Sequence, residues 1–144
     1  MPELPEVETV LRTLEKQIKD RKIKSVEVRW SNTIAQPSVN EFTTRLTNQH
    51  FRGFDRLGKY LIFRLDEQVL IVHLRMEGKF YLEPIDVPIR KHTHVIFELD
   101  NGQSLRYNDT RKFGKMYLYH QDEALKALAK VGLDPWDKGL IPTY

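Results

Sequence analysis

Cysteine is absent from the 144 residues, which excludes a disulfide framework, a thiolate nucleophile and a cysteine-ligated metal within the chain. No apolar run approaches the length that crosses a bilayer, and the first twenty residues carry charge throughout. Neither a secretory leader nor a membrane anchor is therefore expected. Internal repeats and low-complexity tracts are missing too. These absences predict a cytoplasmic globular protein. What remains is 40% hydrophobic and 30% charged, the balance of one folded domain long enough to bury a core.

The formal charge of +3 is a modest excess and says little alone. Its local distribution says more. Arg45, Arg52, Arg56 and Lys59 fall in one stretch; Arg106, Arg111, Lys112 and Lys115 fall in a second, interleaved with Tyr107 and Phe113. Cations neutralise phosphates and flat rings stack on bases, so this mixture favours a nucleic-acid surface over an ordinary solvated face.

Val7, Val10, Leu11, Leu14 and Ile18 follow helical spacing, which predicts an amphipathic helix from about residue 5 to 19. Pro5 suits its first turn, and Glu6 and Glu8 complement the positive end of its dipole. Residues 23–30 alternate as a strand. Ser38-Val39-Asn40-Glu41 is a capping box that opens a second helix, with Val39, Phe42 and Leu46 on its inner face. Strands are predicted over 51–54, 60–65, 69–74, 79–83, 95–99, 104–107 and 115–119, with Asn101-Gly102 as a hairpin turn. A last helix is expected over about 122–131, ending at Gly132. The predicted class is α+β and mostly β: a two-layer antiparallel β-sandwich flanked by helices.

The amino terminus carries the most specific chemistry. Removal of Met1 would expose Pro2 as a secondary amine with a pKa near about 7.7–8.0, partly unprotonated at neutral pH and so nucleophilic. Attack on a sugar aldehyde carbon gives an iminium directly, an electron sink for elimination of phosphate. Glu3 stands beside it to move protons, and Glu6 lies one helical turn further on. Read alone, the same residues are a proline-rich helix cap.

Three later segments decide between these readings. Met1-Pro-Glu-Leu-Pro-Glu-Val-Glu-Thr9 resembles the start of the bacterial formamidopyrimidine-DNA glycosylases (the MutM family, or 8-oxoguanine DNA glycosylases). Leu57-Gly58-Lys59-Tyr60-Leu61, His73-Leu74-Arg75-Met76-Glu77-Gly78 and Asn108-Asp109-Thr110-Arg111-Lys112-Phe113-Gly114 match the same family in order. Leu4, where the endonuclease VIII branch has glycine, favours the formamidopyrimidine branch.

The resemblance implies a bifunctional glycosylase and abasic-site lyase of base-excision repair, acting on duplex DNA with oxidised purines or abasic sites. Pro2 would attack C1′, Glu3 would assist base loss and ring opening, and Lys59 would hold a phosphate. Met76, Arg111 and Phe113 would fill the space left by the extruded nucleotide. His92 is implied as a phosphate contact beside Lys91, and His73 as a support for the active-site strand. His73, His92 and His94 have no spacing that recommends a metal site.

The family match implies residues 1–132 as the N-terminal catalytic domain and residues 133–144 as the start of a linker. Family members continue into a helix-two-turn-helix region and a cysteine zinc finger, so no cofactor is expected within this chain. A monomer is expected. While Met1 is attached, Pro2 is a tertiary amide without a free lone pair, and such a chain is expected to be inactive. The alternatives are a non-catalytic DNA-binding fragment of such an enzyme and a generic basic RNA- or protein-binding β module.

Overall fold

The computed structural model describes residues 4–75, 77–124 and 126, with side chains from Val7 onward. Helix α1 (Leu4–Ile18) buries Val7, Leu11, Leu14 and Ile18, the stripe its periodicity predicts. Strand β1 (Ile23–Val28) is shorter than expected, because the Arg29 and Trp30 amides both turn to the His94 carbonyl and a 3-10 turn (Ser31–Thr33) follows. A short strand β2 (Ile34–Gln36), which no sequence pattern announced, leads to helix α2 (Val39–Leu46). Ser38 caps that helix as expected, its hydroxyl accepting from the Glu41 amide at 3.2 Å.

Seven strands follow: β3 (Gly53–Leu57), β4 (Tyr60–Arg64), β5 (Gln68–His73), β6 (Lys79–Pro84), β7 (Thr93–Leu99), β8 (Gln103–Asn108) and β9 (Lys115–His120). β3 lies three residues later than predicted at its C-terminal end. The tight Gly58-Lys59 turn, with Gly58 at φ +62°, sets its true end by pairing Leu57 with Tyr60. Asn101-Gly102 forms the expected hairpin, with Gly102 at φ +83°. At the C-terminal side a 3-10 turn (Gln121–Glu123) replaces the predicted helix start. Ala124 and Lys126 are helical, and Leu125, the predicted helix from 127 onward and the linker to 144 lie outside the described residues.

The strands form a four-stranded sheet in the order β1-β7-β8-β6 and a five-stranded sheet in the order β2-β9-β5-β4-β3. All pairings are antiparallel except β2 with β9, which is parallel. The main core lies between the layers. Leu61, Phe63, Leu70, Val72, Met116 and Leu118 from one sheet meet Val95, Phe97, Leu99 and Leu105 from the other, with α1 and α2 closing the flanks. Phe63 is the centre of its aromatic part, edge-on to Phe51 at 5.8 Å and to Phe54 at 5.7 Å. The five-stranded sheet is apolar on its other face too, where Leu57, Ile62, Val69, Ile71 and Tyr119 gather. This explains why β4 and β5 read as unbroken apolar runs.

Arg106, counted above in a basic cluster, belongs to the fold. It is 1% exposed, and its guanidinium donates to the carbonyls of Ile85 at 3.1 Å, Val87 at 2.8 Å and Pro88 at 3.2 Å and to the Ser104 hydroxyl at 2.9 Å. Glu83 lies 3.6 Å away as its counter-charge. Tyr107, 0% exposed, is likewise core and not a stacking platform. Arg106→Met should strip partners from several carbonyls and leave Glu83 uncompensated, lowering stability by about 3–5 kcal/mol. Urea denaturation measures this; a change within about 0.5 kcal/mol, the scale of an ordinary surface substitution, would contradict it.

Candidate nucleic-acid interface

Cross-strand register gathers the candidate residues at one end of the sandwich. In the five-stranded sheet Tyr60 pairs with His73, and His73 pairs with Lys115. The Gly58-Lys59 turn, the segment after His73 and the loop before Lys115 therefore leave the sheet side by side. In the other sheet Lys79 pairs with Asn108, and Asn108 with Thr93, so Gly78, Asp109 and His92 leave side by side as well. The 74–78 turn passes from the five-stranded to the four-stranded sheet, and the 109–114 loop passes back. Lys59, His92, Arg111 and Phe113 thus share one end, although they are up to 54 residues apart. Met76 lies outside the described residues.

Helix α1 is aimed at the same end. Arg12 donates to the Phe54 carbonyl at 3.0 Å, and four residues earlier Glu8 accepts from Arg56 at 3.2 Å. One helical turn rises about 5.4 Å and two strand residues about 6.7 Å, so helix and strand run in antiparallel register. One more turn brings Leu4 level with Gly58. Arg56 also donates to the Gly58 carbonyl at 3.0 Å, and Arg12 to Glu8 at 2.7 Å, which ties helix, strand and the Lys59 turn together. The Arg56 and Arg12 guanidinium groups hold the Glu8 carboxyl below its ordinary range. Pro2 and Glu3 lie outside the described residues, and Glu6 is described by its backbone alone, in the first turn of α1.

The first basic cluster is not a patch. Arg56 is engaged by Glu8, Arg52 by Asp66 at 2.8 Å and Asp20 at 3.0 Å, and Arg45 by the Gln68 carbonyl oxygen at 2.6 Å. Sequence proximity placed like charges together; tertiary packing handed each of the three arginines a partner. Of that cluster Lys59 stands exposed in its turn. In the second cluster Arg111 and Lys112 are exposed, and Phe113 is 52% exposed, unusual for a phenylalanine. Lys112, at φ +62°, sets its ammonium 4.2 Å from the Trp30 ring centre.

His92 is half-buried and lines a cleft of about 290 Å³ with Lys79, Tyr81, Arg90, Lys91 and Thr110. A neighbouring cleft of about 350 Å³ is lined by Arg29, Trp30, Lys91 and Lys112. Lys91 belongs to both; Glu77 lines the first and Glu27, 2.9 Å from Arg29, the second, so the positive excess here centres on Lys91 and Lys112. His73 is buried at the end of β5, edge-on to Tyr60 at 4.6 Å. Its Nδ1 accepts the Arg75 amide at 3.1 Å, which requires a neutral ring and fixes the left-handed residue Arg75. Burial, with Arg75 and Lys59 nearby, pushes its pKa down to about 4. Tyr107, read from sequence as a surface aromatic, and Asp109, given no role of its own there, hold the 109–114 loop from within. The one available signal was the aspartate two residues before Arg111, where a carboxylate can close a turn on a later backbone amide.

Residues 1–116 match the model of the formamidopyrimidine-DNA glycosylase N-terminal domain. The chain belongs to this family. It is 49% identical to the formamidopyrimidine-DNA glycosylase of Oceanobacillus iheyensis, over 100% of this chain and 52% of that protein. With the Bacillus subtilis enzyme it shares 48% identity, over 94% of this chain and 49% of that protein. The chain therefore spans about half the length of the curated relatives it matches. Among solved structures it superposes on the Lactococcus lactis Fpg in complex with abasic-site DNA, with a TM-score of 0.84 and 42% identity. That match covers 90% of this chain and 48% of the neighbour. The Lactococcus lactis FPG (MutM) bound to FAPY-dG DNA matches equally well, with a TM-score of 0.84 over 89% of this chain.

Two outcomes are expected at this end. Because the folded state holds His73 unprotonated down to about pH 4 while an unfolded chain protonates near 6.5, stability should fall as pH drops through that window. In His73→Gln that part of the pH dependence should vanish, as urea midpoints at pH 7 and pH 4.5 would show; an unchanged slope contradicts it. Phe113→Ala should alter stability by no more than about 0.5 kcal/mol, since the ring has little packing to lose. A thermal-melt loss like that of a core phenylalanine, about 3–5 kcal/mol, would show that Phe113 is structural.

Proposed function

We infer that this chain supplies the nucleophile-bearing half of a bifunctional DNA glycosylase that removes oxidised purines, formamidopyrimidines and 8-oxoguanine, in base-excision repair. The observation that carries the reading is the convergence of Lys59, His92, Arg111 and exposed Phe113 on the end toward which α1 points its amino terminus. The formamidopyrimidine-DNA glycosylase relatives and the DNA-bound Fpg neighbours support it. Its partner is duplex DNA carrying an oxidised purine or an abasic site, and its place is the cytoplasm, where that substrate would be.

In this reading the Pro2 amine attacks C1′ of the extruded nucleotide, and the C1′–N bond to the damaged base breaks. Glu3 delivers the proton that opens the sugar ring. The resulting iminium acidifies C2′–H; loss of that proton expels the 3′ phosphate by β-elimination, and loss of the C4′ proton then expels the 5′ phosphate by δ-elimination. Lys59 holds a flanking phosphate; its exposed ammonium on a two-residue turn has a fixed base and a free head. His92 adds a second phosphate contact. Phe113, Arg111 and Met76 occupy the vacated stack. An aromatic wedge and a thioether fill the void, and the guanidinium bonds the edge of the orphaned base.

The chemistry depends on a free Pro2 amine. Borohydride trapping on abasic DNA should give a covalent adduct with chain processed to Pro2 and none with chain that retains Met1. An adduct from Met1-bearing protein would contradict the terminal nucleophile. Absence of adduct from processed chain would contradict the lyase reading.

A further inference from the structure

Asp109 is 1% exposed, and among the described residues no cation pairs with its carboxylate. A buried carboxylate without a counter-ion must be satisfied by hydrogen bonds. Its Oδ1 accepts from the Arg111 amide at 3.1 Å, and its Oδ2 accepts from the Gly114 amide at 2.7 Å and the Tyr107 hydroxyl at 3.1 Å. The Asp109 backbone is held as well. Its amide donates to the His92 carbonyl at 3.0 Å, and its carbonyl accepts from His94 Nε2 at 2.7 Å.

The partners identify what is being held. Arg111 and Gly114 bracket Lys112 and Phe113, so one side chain grips both ends of the exposed tip. The Tyr107 hydroxyl fills the space that a Cβ on Gly78 or on Gly114 would need, so it sits against both crossings at once. Burial beside the Asp109 charge pushes the Tyr107 pKa up, which keeps its proton available for donation. The carboxylate meets the loop through the backbone amides of Arg111 and Gly114, on either side of Lys112 and Phe113.

We propose that Asp109 is a positioning residue, which with Tyr107 presets the loop from which Arg111 and Phe113 enter the DNA stack. A loop ordered before binding loses no conformational entropy when the duplex opens, so its contacts count in full toward recognition of the gap. The proposal rests on reading this end as the DNA-binding surface.

The test compares affinity for a duplex carrying a tetrahydrofuran abasic analogue with affinity for the intact duplex, by fluorescence anisotropy at low salt. The ratio is taken within each variant, so a reduced folded fraction cancels. Asp109→Asn presents an amide where the Arg111 or Gly114 N–H needs an acceptor. It should lower the ratio about tenfold, the scale of one base-edge contact. Arg111→Ala should lower it comparably, and the double variant should lose clearly less than the sum of the two, because the Asp109 loss acts in part through the same guanidinium. Tyr107→Phe, which removes one of three donors and keeps the ring, should cost about threefold.

A D109N ratio equal to the wild type overturns the proposal, as does equal weakening on both duplexes, the mark of a merely structural residue. Additive losses in the double variant overturn it too. Wild-type chain with no preference between the duplexes is a distinct result, and it would overturn the DNA-binding reading together with the proposal.

Discussion

Two loops cross between the sheets at the same end of this sandwich, one leaving the five-stranded sheet after His73 and one returning to it at Lys115. They cannot both pass unless the space between them is filled and their backbone donors are met. The Tyr107 hydroxyl takes that space against Gly78 and Gly114, and the Asp109 carboxylate meets the donors. A side chain at either glycine would run into the tyrosine. The course of the 109–114 loop follows from that junction. Phe113 in particular is held outward by a backbone that is bonded from within.

The same division of labour recurs along the chain. Most arginines at first counted toward a basic surface are internal fasteners: Arg56 to Glu8, Arg52 to Asp66 and Asp20, Arg106 to a ring of carbonyls. What is left for a polyanion is smaller and more local: Lys59 on its turn, Lys91 and Lys112, and Arg111. A short set of cations, each fixed by a turn or a strand end, suits recognition of one phosphate path better than diffuse attraction would.

Much of this was legible in the sequence, and the failures have physical causes. Helical periodicity located α1, the capping box located α2, alternation found β1, and apolar β-rich runs between turn signals found the later strands, because each of these patterns is local. Lys59, Arg111 and Phe113 were nameable from ordered motifs and His92 from the family resemblance, but their meeting at one end needed the register of two sheets. The short parallel strand β2 has no pattern of its own; its pairing with β9 is purely tertiary. Arg106 was misread because a buried arginine and an exposed one look the same in a list of charges. Asp109 was given no role and Tyr107 was put on the surface because their importance lies in partners that sequence spacing does not display.

The central claim is that the chain's own amino terminus is the nucleophile, delivered by α1 to the end where Lys59 and the 109–114 loop meet. The most direct measurement is to digest the borohydride-trapped complex with abasic DNA and locate the sugar remnant by tandem mass spectrometry. The account predicts the remnant on the α-nitrogen of Pro2. A remnant on the side chain of Lys59 or any other lysine would contradict it.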